Sequence, residues 1–341
     1  MQRLITIFLL PALLSYHAHS AVYRGNDAGR ILVLDSDTLT HHYEDERLPF
    51  PLAPGDNCRA ETRCYHTITG SHLEQRGDNW RIRGGATLTL YTPPVHDPAN
   101  RLFATELPYE AALLDDLTFT PSQTTAHNDN AIKLQYWREP ASGLEHFLIS
   151  SGYDDNRDTI NPYLRAQALT TLYARRQCLA ALPVDKRAAL NYRVNTEPTY
   201  LGPRYISAHI HEQTPCGFGG HYGITYDIEQ TRGLELEDLL WIGDDAPHLL
   251  ADDAPADQAL RETRAAWLLD ALQAAAPQSM RRYPYRAQDY QYPYFYLTPR
   301  GLYIGPLLPP SKAIHAHPED TILPYDLIRK HPGILGADAI P

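Results

Sequence analysis

The sequence predicts an α+β protein: an N-terminal all-β domain, sandwich or small barrel, followed by an α+β domain with an antiparallel sheet and helices. Three observations carry this expectation. Short alternating apolar runs separated by Gly, Pro, Asn and Asp clusters fill residues 21–153. Two longer stretches with helical spacing, each stopped by proline, follow after Gly152. Two further alternating segments fold back on themselves around Gly-containing turns, which favours segregated helices and antiparallel strands over a parallel sheet.

Residues 1–20 precede both domains. Arg3, an apolar run from Leu4 to Leu14 and Ala18-His19-Ser20 have the order of a secretory signal, with cleavage expected after Ser20. The apolar run is too short to span a bilayer, and no later segment is a long continuous apolar stretch, so stable membrane insertion is not expected. The expected location is periplasmic or secreted. Within residues 21–153, strands are expected at Arg30–Asp35, Tyr65–Thr69, Trp80–Arg83, Thr87–Tyr91, Leu117–Thr120, Ile132–Trp137 and His146–Ser150. No fixed period relates them, which excludes a propeller or solenoid.

The second domain is expected over residues 154–341. Pro162 to Leu182 carries Leu164, Ala168, Leu172 and Leu179 at helical spacing, and Pro183 stops it. Tyr200 to Ile228 reads as two strands around a Pro-Cys-Gly-Phe-Gly-Gly turn, with Tyr205, Ser207, His209 and His211 on one face by the period of two. Asp253 to Ala276 reads as a second helix, its buried stripe formed by Leu260, Leu268, Ala271 and Leu272. Phe295 to Ile304 is a strand pair about Pro-Arg-Gly, and Thr321 to Lys330 a short closing helix.

With 43% hydrophobic and 21% charged residues over 341 positions, the chain can bury a sizeable core. Its formal net charge of -11 disfavours nucleic acid, whose phosphates need a basic surface, and suits a cationic protein. Only Lys133, Lys186, Lys312 and Lys330 are lysines among the 30 basic residues, a bias that GC-rich codon usage explains. Of the four cysteines, Cys58 with Cys64 and Cys178 with Cys216 form the simplest of three connectivities, as structural bridges of an oxidising compartment.

Candidate chemistry centres on histidines and tyrosines. His209, His211 and His221 flank the Gly-Gly turn, where a hairpin can present imidazoles to zinc; the alternative is a polar outer face. The His-Glu-x-x-His helix of zinc proteases is absent because Gln213 follows Glu212. His315 and His317 lie in a Pro-rich loop and read as solvated. Asp154, Asn156 and Asp158 begin like a calcium loop, but Thr159 and Arg165 replace the required Gly and Glu, leaving a turn. No nucleophile elbow or Ser-x-x-Lys motif occurs. Tyr290, Tyr292 and Tyr294, with Tyr222 beside the histidines, suit sugar stacking or a protein contact, the alternative being packing along a strand edge.

Phe218-Gly-Gly-His-Tyr-Gly-Ile-Thr-Tyr-Asp227, continuing to Leu-Glu-Leu-Glu-Asp-Leu-Leu240, resembles a known pattern, as do Phe295-Tyr-Leu-Thr-Pro-Arg-Gly-Leu-Tyr303 and Ile322-Leu-Pro-Tyr-Asp-Leu327. They resemble the extracytoplasmic domain of unknown function at the C-terminus of lysozyme-sensing, RsiV-like anti-sigma factors and of some peptidoglycan deacetylases. The likeness spans about Pro162 to Lys330. It departs where His221 directly follows the Gly-Gly turn, the family usually having Ala-His, and where the loop Pro306 to His317 replaces an acidic-aromatic stretch. The resemblance implies an α+β recognition module and supplies no catalytic residues. The expected function is therefore a non-catalytic recognition protein of the envelope, without a cofactor, binding a cell-wall glycan or a cationic protein such as a lysozyme. The alternative is a metal-dependent envelope hydrolase built on His209, His211 and His221 with zinc. The oligomeric state is not legible.

Overall fold

The computed structural model describes residues 21–341 apart from 57, 59–61, 93–107, 188–192, 214–219 and 253. The expected signal segment, residues 1–20, lies outside the described residues. The described part is α+β, as the alternation and the helical spacings predict, with an all-β N-terminal region. It divides into two compact units: residues up to Leu117 with Tyr173–Ala181, and Thr118–Leu172 with Leu182–Pro341. The division does not fall at residue 153, because strands near 120–151 pair within the second unit's sheet.

In the first unit, β1 (Val22–Asp27) and β2 (Arg30–Asp35) form a hairpin whose turn places Ala28 and Gly29 at φ 52° and 93°. Two positive φ values match the right-handed twist of the strands, and glycine carries the larger one. With β3 (Thr40–Tyr43), β4 (Phe50–Pro51) and a late strand β9 (Thr89–Leu90), they form a five-stranded antiparallel sheet ordered β4-β3-β2-β1-β9. A four-stranded sheet holds β5 (Ala53–Pro54), β6 (Arg63–His66), β7 (His72–Arg76) and β8 (Asn79–Ile82) in that order. Leu32, Leu34 and Tyr43 of the first sheet share a core with Tyr65, Leu73 and Trp80 of the second, which makes the pair a sandwich. The helix Pro108–Leu113 covers the other face through Tyr109 and Ala112 against Val22 and Val33. Cys58 and Cys64 are disulfide-bonded, as expected, with Cα atoms 5.8 Å apart. Cys178 is oxidised too, and its expected partner Cys216 lies outside the described residues.

The second unit is organised by a seven-stranded sheet in sequence order: β10 (Thr120–His127), β11 (Ile132–Arg138), β12 (Glu145–Ser151), β13 (Arg193–Leu201), β14 (Tyr205–Gln213), β15 (Gly220–Asp227) and β16 (Arg232–Gly233). All pairs are antiparallel except β12 with β13, which the crossover helix Arg157–Ala181 connects. That helix begins before Pro162, where the sequence placed its start, because the turn at Tyr153–Asn156 already leads into it. The Asn161 side chain then bonds both backbone groups of Ile149, at 2.8 and 3.0 Å.

Residues 205–210 of β14 are all buried, since both faces of the sheet are covered. Ile206 and Ala208 pack with Ile160 and Leu164 of the crossover helix. On the opposite face lies a three-stranded sheet, β17 (Tyr294–Thr298), β18 (Gly301–Gly305) and β19 (Ile322–Leu323), and Tyr205 joins a core containing Phe295, Leu297 and Leu302. The same core receives Leu268 and Leu272 of the helix Pro255–Ala275, whose Pro at the start and Pro277 beyond its end set its limits. Leu260 and Ala271 of the expected stripe are only half-buried; Arg261 and Arg264 are buried instead, bonded to Leu250 and Ala251 carbonyls and to Glu237. No described helix is long and apolar enough to cross a membrane.

Candidate metal centre

The antiparallel register of β14 and β15 pairs Ser207 with Thr225, His209 with Gly223 and His211 with His221, so these side chains share one face. Strand β17 crosses that face closely. The Phe295 carbonyl occupies the space a Cβ at residue 223 would need, and the Leu297 N–H donates to Ser207 Oγ at 3.0 Å. Glycine at 223 is thus what lets the second sheet close over His209 and His221.

The loop between β18 and β19 returns His317 to the same place. One nitrogen from each of His209, His221 and His317 lies within 4.8 Å of the others, forming the only cluster of three or more potential metal-binding side chains found among the described residues. His209 Nε2 is 2.9 Å from His221 Nδ1. The rings of His209 and His221 lie nearly parallel to that of His317, with centroids 4.5 and 4.6 Å away. Tetrahedral zinc with bonds of ~2.0–2.1 Å separates its nitrogens by about 3.3 Å, so nitrogens within 4.8 Å of one another reach that spacing by changes of up to about 1.5 Å.

Electrostatics favour the ligand-competent state. Burial, reinforced by His317 and His211, pushes His209 and His221 down to about 3. Burial and His211 push His317 down to about 4, against a smaller opposing pull from Glu319. All three imidazoles are therefore neutral at neutral pH, with lone pairs available. Phenols fix the third ring: His317 Nδ1 lies 2.8 Å from the Tyr294 hydroxyl and 3.0 Å from that of Tyr303. Those hydroxyls also reach the carbonyls of Ala316 and Pro318, at 2.9 and 3.0 Å. With both phenols donating to the carbonyls, their oxygens can accept from a protonated Nδ1 of His317, the tautomer that would leave Nε2 for a ligand.

His211 is half-buried and stacks on His221 with centroids 4.4 Å apart; its nitrogen is not among the three that converge. Tyr294 joins the cluster. Tyr222 points its hydroxyl into a buried position without a partner among the described residues. Tyr290 is fully buried with its hydroxyl on Met280 Sδ, whereas Tyr292 is exposed beside Gln258 and Arg261. His315 stacks on Tyr283 at 4.5 Å. His317 is the residue that sequence reasoning missed: it read as solvated, because a histidine in a Pro-rich loop carries no periodic signal.

No protein-family model matches the sequence, and no curated protein does. Among solved structures, one neighbour belongs to the DUF3298 family. It is a crystal structure from Bacteroides fragilis, 16% identical, with a TM-score of 0.35 over 64% of this chain and 94% of that one.

Proposed function

We propose that this chain is an extracytoplasmic metal-binding protein in which His209, His221 and His317 hold a divalent transition-metal ion, zinc in the first instance. The observation that carries it is the convergence of three neutral imidazoles from three separate segments, His209 buried and His221 and His317 half-buried. Imidazole suits zinc, copper and nickel, and three protein donors leave a coordination position open, the arrangement that lets a bound zinc activate water for hydrolysis. The chain's own contribution is to dehydrate the histidines, hold them neutral and orient His317 through Tyr294 and Tyr303. The leader-like residues 1–20 and the disulfide support an oxidising compartment, periplasmic or secreted.

The test is metal content after incubation with zinc and exhaustive dialysis. One ion per chain is expected, falling to background in His209→Ala and His317→Ala and unchanged in His315→Ala. Less than stoichiometric metal in the parent, or full retention in His317→Ala, sinks the proposal.

A second reading is envelope recognition in the manner of the lysozyme-sensing, RsiV-like domains. It is favoured by the packing of the resemblance blocks into one core, where Leu236 and Leu239 meet Phe295, Leu302 and Leu323, and by the net charge of -11. Capture of lysozyme or muropeptides, weakening as salt rises, tests it.

A further inference from the structure

Beside the histidine cluster, an open cleft of about 520 Å³ is lined by Thr199, Tyr296, Arg300, Tyr303, Glu319 and Asp320, with His317 at its boundary. The volume is that of a small-ligand site. Its charges are already matched: Arg300 bonds Asp320 at 2.7 Å, and Glu319 is bonded by Arg282 at 2.8 Å. An ionic ligand gains little from walls so neutralised. The same groups keep spare capacity for hydrogen bonding, because a guanidinium carries five donors and each carboxylate about four acceptor sites. The Thr199 hydroxyl is buried without a partner among the described residues. The floor is apolar, formed by the stacked pair Tyr296–Tyr303, whose ring centroids are 4.4 Å apart.

Matched charges with unused donors and acceptors, an unsatisfied hydroxyl and an aromatic floor together specify a neutral ligand rich in hydroxyls. We propose that this cleft binds a neutral saccharide of about two sugar units. The cleft shares Tyr303 and His317 with the histidine cluster, whereas Thr199, Arg300 and Asp320 lie outside that cluster.

Calorimetric and NMR titration of the full protein with cellobiose and N,N′-diacetylchitobiose tests this, with trialanine and acetate as controls. A disaccharide Kd on the order of 1 mM or tighter is expected. Arg300→Ala and Thr199→Val are expected to weaken it by tenfold or more, while Asp320→Asn keeps the fold and weakens it less. The parent protein stripped with a chelator is expected to bind sugar as it does when loaded with zinc, so a failed metal assay leaves this result standing. No disaccharide binding at about 10 mM, tighter binding of trialanine or acetate, or affinity unchanged in both Arg300→Ala and Thr199→Val overturns the proposal.

Discussion

Burial of the three histidines makes an uncommon demand on metal affinity: it should hardly depend on pH through mild acid. An imidazole with the ordinary value of 6.5 is about nine-tenths neutral at pH 7.5 and about one-tenth neutral at pH 5.5. Three such ligands together would weaken binding about 1,000-fold over that interval, about 4 kcal/mol. Here the folded values are about 3, 3 and 4 for His209, His221 and His317. At about pH 5.5 each ring is then still more than ~95% neutral, so protons scarcely compete and Kd should change by less than about twofold. The assay is calorimetric titration with zinc in buffers of different ionisation enthalpy, which counts the protons released. Near-zero release at about pH 5.5 is expected. Tenfold or greater weakening between the two pH values, or release approaching one proton per histidine, refutes the reasoning from burial.

Three other outcomes follow from the packing. Gly223→Ala places a methyl group against the Phe295 backbone and should cost about 1–3 kcal/mol, read as a lower thermal midpoint with weaker zinc binding; an unchanged midpoint would show that β17 has room to move. Arg264→Ala strands the buried Glu237 carboxylate, whose side chain is 10% exposed, and should cost ~3–5 kcal/mol in urea unfolding, whereas a neutral result would mean that Glu237 finds another partner. His146, pushed down to about 3 by burial, takes up a proton when unfolded below about pH 6.5 but not when folded, so its contribution to stability is lost as pH falls from there towards 3. His146→Phe, packing against Phe119, should remove up to ~1.4 kcal/mol per pH unit of that slope, and identical slopes in the two proteins would contradict it.

Legibility in the sequence followed the directness of the physical signal. Strands β11 and β12 and the β14–β15 hairpin alternate or run apolar, and the helix Pro255–Ala275 is bracketed by prolines, so they could be read. Strand β10, with the sequence TPSQTTAH, is almost entirely exposed at a sheet edge and shows no apolar alternation. Strand β3 disguises itself differently: His41 and His42 are fully buried, so two core positions look polar. In the helix Pro255–Ala275, Leu268 and Leu272 are buried as the spacing favoured, but Arg261 and Arg264 are buried while Leu260 and Ala271 are not, because nearby carbonyls and Glu237 satisfy the guanidinium groups. At the site, period two and an antiparallel register placed His209 and His221 together. His317 depends on the approach of β17 over Gly223 and on the tyrosine hydroxyls that catch its ring, which are contacts between distant segments.

The trio's wide spacing along the chain has a mechanical meaning. An ion shared by residues 209 and 317 would tether positions on the order of a hundred apart, and closing a loop of that size restricts an unfolded polypeptide by about 4–5 kcal/mol in the cross-link entropy treatment. Zinc there would act as a removable rivet: a chelator could withdraw it and restore the loop's freedom while the sulfur bridge between Cys58 and Cys64 stayed closed.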